Sequence, residues 1–118
     1  MLTLREGLKI FVSLTPVDMR KSIDGLNALV LDELKCAPQS GHLFLFYNKK
    51  KDKVKMVYWD RNGFVLHYKR LDRGRFKLST SEKEDVIEIE EQQLQWLLAG
   101  LEFQLMQAFN ELNYEYYY

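Results

Sequence analysis

The sequence predicts an α+β domain: a mainly antiparallel sheet of three to five strands, with one helix in the N-terminal half and a C-terminal helical segment. Three observations predict it. The run Val54–Phe76 reads VKMVYWDRNGFVLHYKRLDRGRF, two alternating strand-like segments around Asp60-Arg61-Asn62-Gly63. Asn-Gly between such runs signals a hairpin, because both residues tolerate the positive φ of a tight turn. Met19, Ile23, Leu26, Val30 and Leu34 recur at spacings of four, three, four and four, the apolar stripe of a helix. Short runs rich in aliphatic and aromatic residues, Leu8–Leu14 and His42–Tyr47, flank that helix as strands.

Taken in order, Thr15-Pro16 ends the first strand. Asp18 can accept the free N–H groups of a first helical turn, so the helix is expected from Met19 to about Lys35 with Asp18 as its cap. Gly25 inside it costs about 1 kcal/mol relative to alanine. A close approach to the sheet would account for that residue. Pro38 and Gly41 mark a turn, and His42–Tyr47 is apolar enough for a central strand. Asn48–Lys53 is a charged hairpin loop, so the strands on either side and the one after the Asn-Gly turn form an antiparallel meander. In the second of these, Val54, Met56 and Tyr58 share one face, and Lys55, Val57 and Trp59 the other. In the third, Phe64, Leu66, Tyr68 and Arg70 alternate with Val65, His67, Lys69 and Leu71. Both faces are partly apolar, so each is expected to be partly covered. Ser79–Asp85 is a polar loop, and Val86–Ile89 adds a short strand. Glu91–Ala99 starts a helix with acidic residues where its dipole favours them, and Gly100 ends or kinks it. The stripe resumes through Leu101, Leu105, Ala108, Phe109 and Leu112, with Trp96, Phe103 and Met106 pointing elsewhere, which implies more than one packing partner.

At 118 residues the chain fits one domain, 1–118, with enough length for a core that needs no covalent staple. The single cysteine, Cys36, cannot form an internal disulfide, so a reducing, cytoplasmic home is expected. No signal architecture and no long apolar run suggest a membrane. Net charge is zero, but the total hides a separation. Residues 42–78 hold eleven Lys or Arg against three Asp or Glu, a net of +8, and residues 79–118 hold one Lys against nine Asp or Glu, a net of −8. Such asymmetry is a cue to partners that the overall balance conceals. The acidic segment could instead pack on the basic one and neutralise it.

Pro16-Val17-Asp18-Met19-Arg20-Lys21, Ile23-Asp24-Gly25-Leu26, Gly41 and Phe44 to Phe46 open a longer pattern. It continues through Lys55, Tyr58-Trp59-Asp60, Gly63-Phe64, Tyr68-Lys69-Arg70-Leu71 and Gly74-Arg75-Phe76, and closes on Leu94 and Trp96-Leu97-Leu98-Ala99-Gly100. In order and spacing it resembles the TnpB-type, Orf2-like accessory proteins of the IS66 class of bacterial insertion sequences. The resemblance covers about residues 8–101, leaving 102–118 as a helical C-terminal extension. It implies a small helper encoded beside a separate, larger transposase, supporting transposition with no agreed catalytic residues. The chain departs from the family pattern after Phe76, where Lys77, Leu78 and Ser79 replace an expected tryptophan and proline.

The residues themselves favour binding over catalysis. Asp18, Asp24 and Asp60 are the carboxylates a two-metal nuclease would use, but Asp18 and Asp24 lie about 120° apart around a helix. His42 and His67 lack companions at metal spacing, so neither a metal nor a cofactor is expected. The expected contact set for nucleic acid or partner is Lys55, Trp59, Tyr68, Lys69, Arg70, Arg73, Arg75 and Phe76: cations for phosphates, aromatics for bases. No helix-turn-helix or zinc-finger spacing supports sequence-specific readout. The expected partners are the transposase, DNA, and a second copy through the C-terminal helix. A protein-only scaffold for transposase assembly is the alternative, and a metal-dependent nuclease a distant third.

Overall fold

The computed structural model describes residues 7–77 and 84–100. Five strands form one sheet: β1 (Ile10–Ser13), β2 (Leu43–Tyr47), β3 (Lys53–Asp60), β4 (Gly63–Arg70) and β5 (Val86–Ile89). Two helices accompany it, α1 (Ile23–Asp32) and α2 (Glu91–Leu98), with a single 3-10 turn at Pro38–Ser40. The strand order is β4-β3-β2-β1-β5. The β2-β3-β4 meander is antiparallel, and β5 pairs antiparallel with β1. Only β1 and β2 run parallel, as a strand pair joined through a helix can. The fold is thus α+β with a mostly antiparallel sheet.

Alternation along the strands sorts the core into two layers. Phe44, Phe46 and Val57 on one face meet Leu26, Val30 and Leu34 of the α1 side. On the other, Ile10, Val12, Leu43, Leu45, Tyr47, Val54 and Met56 meet Leu94 and Leu97 of α2, with Phe76 packed among them. β2 sits mid-sheet, and all five of its residues are buried. The Tyr47 hydroxyl donates to the Leu14 carbonyl at 2.5 Å, which satisfies the one polar group this strand carries inward.

Three local expectations are corrected. First, α1 begins at Ile23 with Ser22 as its cap, not after Asp18. Asp18 instead makes a tight turn, its Oδ1 accepting the Arg20 N–H at 2.9 Å. Lys55 Nζ takes the carbonyls of Met19 at 2.6 Å and Lys21 at 2.8 Å, which a helix starting at Met19 would need for its own ladder. The helix also stops at Asp32, short of Lys35, which adopts the left-handed region at φ 56°. Second, Gly25 does not approach the sheet; a Cβ there would meet the stem of Lys21 at 3.3 Å. Third, the hairpin tip is Arg61-Asn62, with Asp60 opposite Gly63. The positive φ falls on Arg61, at 50°. The Trp59–Phe64 pair, rings edge-on at 4.9 Å, locks the register and overrides the local Asn-Gly preference.

Candidate functional site

The basic residues gather where β2 ends, β3 begins and β4 ends. The β2–β3 loop is built by Asn48. Its Oδ1 accepts the N–H groups of Asp52 at 3.1 Å and Lys53 at 3.0 Å, and its Nδ2 donates to Asp52 Oδ1 at 2.6 Å. That amide contact, with Lys53 beside it, holds the Asp52 carboxyl below its usual range. The loop presents Lys49 and Lys50 to solvent. After β4 the chain runs back along this loop: Leu71 N–H donates to the Asp52 carbonyl at 2.8 Å, and Phe76 N–H to the Lys51 carbonyl at 2.6 Å. Gly74, at φ 82°, makes the reversal between them. Arg73 and Arg75 flank it and point out, while Phe76 plugs the core.

A hollow of about 700 Å³ opens beside this end. Pro16, Val17 and Met19 of the β1–α1 connection contribute apolar lining. Arg20, Lys49, Lys50 and Lys53 line it against one carboxylate, Asp18. Asp18 is already committed to Arg20, with contacts of 2.7 and 3.0 Å from the guanidinium to Oδ2. Those bonds hold its pKa down at about 2. Tyr68 shares this hollow and a smaller one of about 260 Å³ that Arg70 also lines. The residue is 52% exposed, and the Lys55 ammonium stands over its ring at 5.2 Å from the centroid.

The residues expected to make contacts therefore separate. Tyr68, Arg70, Arg73 and Arg75 are all exposed, and Tyr68 and Arg70 line one hollow. The three arginines form no ion pair with another described residue. Lys55 is 7% exposed, and both its carbonyl bonds are internal, so it supports Tyr68 and the 18–21 turn from within. Phe76 is 1% exposed, a core residue with no face for stacking. Lys69 donates to the Leu98 carbonyl at 2.6 Å, capping the C-terminus of α2, where the helix dipole favours a cation. Trp59 sits at the hairpin tip, six residues along β3 from Lys53, roughly 20 Å away. Conversely, Arg20, Lys49, Lys50 and Lys53 line the hollow. The lysines stood out in the charge count, whereas nothing in the spacing brings Arg20 beside them, since that contact depends on how the 15–22 connection folds.

Neither helix carries a cation: α1 reads IDGLNALVLD and α2 reads EQQLQWLL. The positive charge is confined to loops and strand ends, so no described helix is suited to reading bases in a major groove. Among the described residues, no group of three or more His, Cys, Asp or Glu could hold a metal ion. No helix among them is long and apolar enough to cross a membrane.

The family described as IS66 Orf2 like protein matches residues 8–108. Among similar proteins, y4jC of Sinorhizobium fredii (strain NBRC 101917 / NGR234), named only as an uncharacterized protein, is 35% identical over 97 residues. The match spans 82% of each chain. A second from that organism, the uncharacterized protein y4hO, is 33% identical over 103 residues, covering 87% of this chain and 89% of the relative. No solved structure matches the chain. A family match across most of the sequence, with relatives above 30% identity along most of their length, makes this chain a member of the IS66 Orf2-like family, whose role is accessory to transposition.

Proposed function

We propose that the chain supports transposition by binding, not by catalysis, and that its basic end holds DNA beside the transposase of the same element. One observation carries this reading: Arg70, Arg73 and Arg75 stand exposed and without ion-pair partners among the described residues, next to the lysine-bearing Asn48–Lys53 loop. Fixed cations at that density favour phosphate, and with no base-reading helix the binding is independent of sequence. β5, with Glu88, lies at the opposite sheet edge, about 19 Å from β4 across four strand spacings and about 10–14 Å from the strands that carry the Asn48–Lys53 loop. Both distances exceed the screening distance of about 8 Å at physiological salt, so Glu88 leaves the basic end free to act.

The test is a titration of duplex DNA from the element's ends at about 50 and 200 mM salt. The parent protein is expected to bind and to weaken steeply with salt. Replacing Arg70, Arg73 and Arg75 with Ala should flatten the log–log salt slope by about 2.7, near 0.9 per lost phosphate contact. No binding by the parent, or an unchanged slope in the variant, defeats the proposal. Co-purification with the transposase, with and without nuclease treatment, reports whether protein contact persists once DNA is gone.

A further inference from the structure

Tyr68 is an unusual residue to leave on a surface rich in exposed cations. The residue is more than half exposed, yet its ring has a fixed neighbour. The Lys55 ammonium stands over it, and Lys55 is itself anchored by the Met19 and Lys21 carbonyls. Tyr68 lines two hollows. One carries Lys49 and Lys50 with an apolar lining from Val17 and Met19; the other carries Arg70. An aromatic side chain shared by a hollow with lysines and a hollow with Arg70 suits the alternation of base and phosphate along an unpaired strand.

We infer that this groove takes single-stranded nucleic acid, with one base stacked on Tyr68 and the flanking phosphates on the Lys49-Lys50 loop and on Arg70. The inference rests on the reading of the basic end as a nucleic-acid surface and adds the form of the ligand. An intact duplex stacks its bases on one another and offers a sheet surface only edges and backbone, so it would leave Tyr68 and the apolar lining unused. The larger hollow lies within the range of about 300–1,000 Å³ that holds small ligands, a size for one or two unpaired nucleotides. Asp18 faces the same hollow, but Arg20 occupies its carboxylate and offsets its repulsion of phosphate. An acidic peptide would satisfy the lysines and likewise leave the ring and the apolar lining without a partner.

Fluorescence anisotropy separates these cases, using labelled oligothymidylate of about twelve nucleotides and the same strand annealed to its complement. The full chain is expected to bind the single strand about tenfold more tightly than the duplex. Tyr68→Ala should weaken single-strand binding about tenfold and leave duplex binding nearly unchanged, whereas Tyr68→Trp should retain the preference. A Lys49→Ala, Lys50→Ala double variant should flatten the single-strand salt slope by about 1.4. Equal or tighter binding of duplex, or equal losses on both probes with Tyr68→Ala, overturns the inference while leaving the proposed function standing. Binding of neither probe overturns both. Displacement by polyglutamate with no preference for single strands assigns the groove to an acidic protein and overturns the inference.

Discussion

Lys55 withdraws the carbonyls of Met19 and Lys21 from any helical ladder, and the start of α1 moves to Ile23 as a result. Lys55→Met would fill a similar volume while leaving both acceptors without their donor. It should cost about 2 kcal/mol, read as a lower urea midpoint, because hydrogen bonds to charged groups are worth about 1.5–3 kcal/mol. Asp18 makes a second residue-scale prediction. Its pKa lies near 2 in the folded chain against an ordinary 3.8, because Arg20 bonds the ionised form. A depressed carboxylate stabilises the fold above its unfolded value and ceases to as pH falls through its folded value. Any stability deficit of Asp18→Asn at neutral pH should therefore shrink between about pH 4 and pH 2, and an NMR titration of the Asp18 carboxyl should place its midpoint near 2. Neither role is legible in the sequence. A lysine on an alternating strand reads as a surface cation, and an aspartate before an apolar stripe reads as a cap. Lys55 is reassigned by the approach of Met19 and Lys21, more than thirty positions away, and Asp18 by the turn that brings Arg20 onto its carboxylate.

At the scale of elements, the Asn48–Lys53 loop is the part that gives the basic end its shape. Asn48→Ala removes the acceptor of two backbone N–H groups and a partner of Asp52. A loss of about 1–2 kcal/mol is expected, with faster hydrogen exchange at the Asp52 and Lys53 amides as the direct check. The strands were legible because alternation and apolar runs are local signals; all five lie within a residue or two of the expected positions except for a shorter β1. The inner faces of β3 and β4 followed from the same alternation. Turn geometry was less legible. The Asp60–Gly63 tip is set by the cross-strand contact of Trp59 with Phe64, and a dipeptide preference does not contain that information. Exposure within the expected contact set was only partly legible: Arg70, Arg73, Arg75 and Tyr68 are exposed, whereas Lys55 and Phe76 are buried and Lys69 is spent on the end of α2. Charge on a loop reports exposure directly, whereas Phe76 and Tyr68 look alike in sequence and end at 1% and 52% exposure.

Across the described residues, the acidic side chains and the cations attend different parts of the sheet. The acidic residues Glu84, Asp85, Glu88, Glu90 and Glu91 attend β5 and the start of α2, and the cations attend the ends of β3 and β4. α2 links the two edges: it leaves β5 through Glu90 and ends on the Lys69 of β4. β5 closes the exposed side of β1 along Ile10–Ser13, and Leu14 N–H donates to the Asp85 carbonyl at 2.8 Å. A chain ending at Glu84 would bare that row of β1 backbone groups and uncover the α2 side of the core. It is expected to self-associate, seen as rising light scatter with concentration, because unpaired strand edges template pairing between chains.

The position of β1 also bears on the order in which the chain comes together during synthesis. Of the described strands β1 leaves the ribosome first, yet its two neighbours are β2 and β5, and Ile10 pairs with Ile89 near the far end of the described chain. The β2-β3-β4 meander can assemble from neighbours in sequence as soon as it emerges. β1 can join it on one side through α1, and its other side must wait until Val86–Ile89 has been translated. Contacts between distant positions carry the larger loop-closure cost and form late. The nascent chain therefore passes through a stage in which the basic end is already shaped while β1 still presents an open edge, and β5, the last of the described strands, arrives to close it.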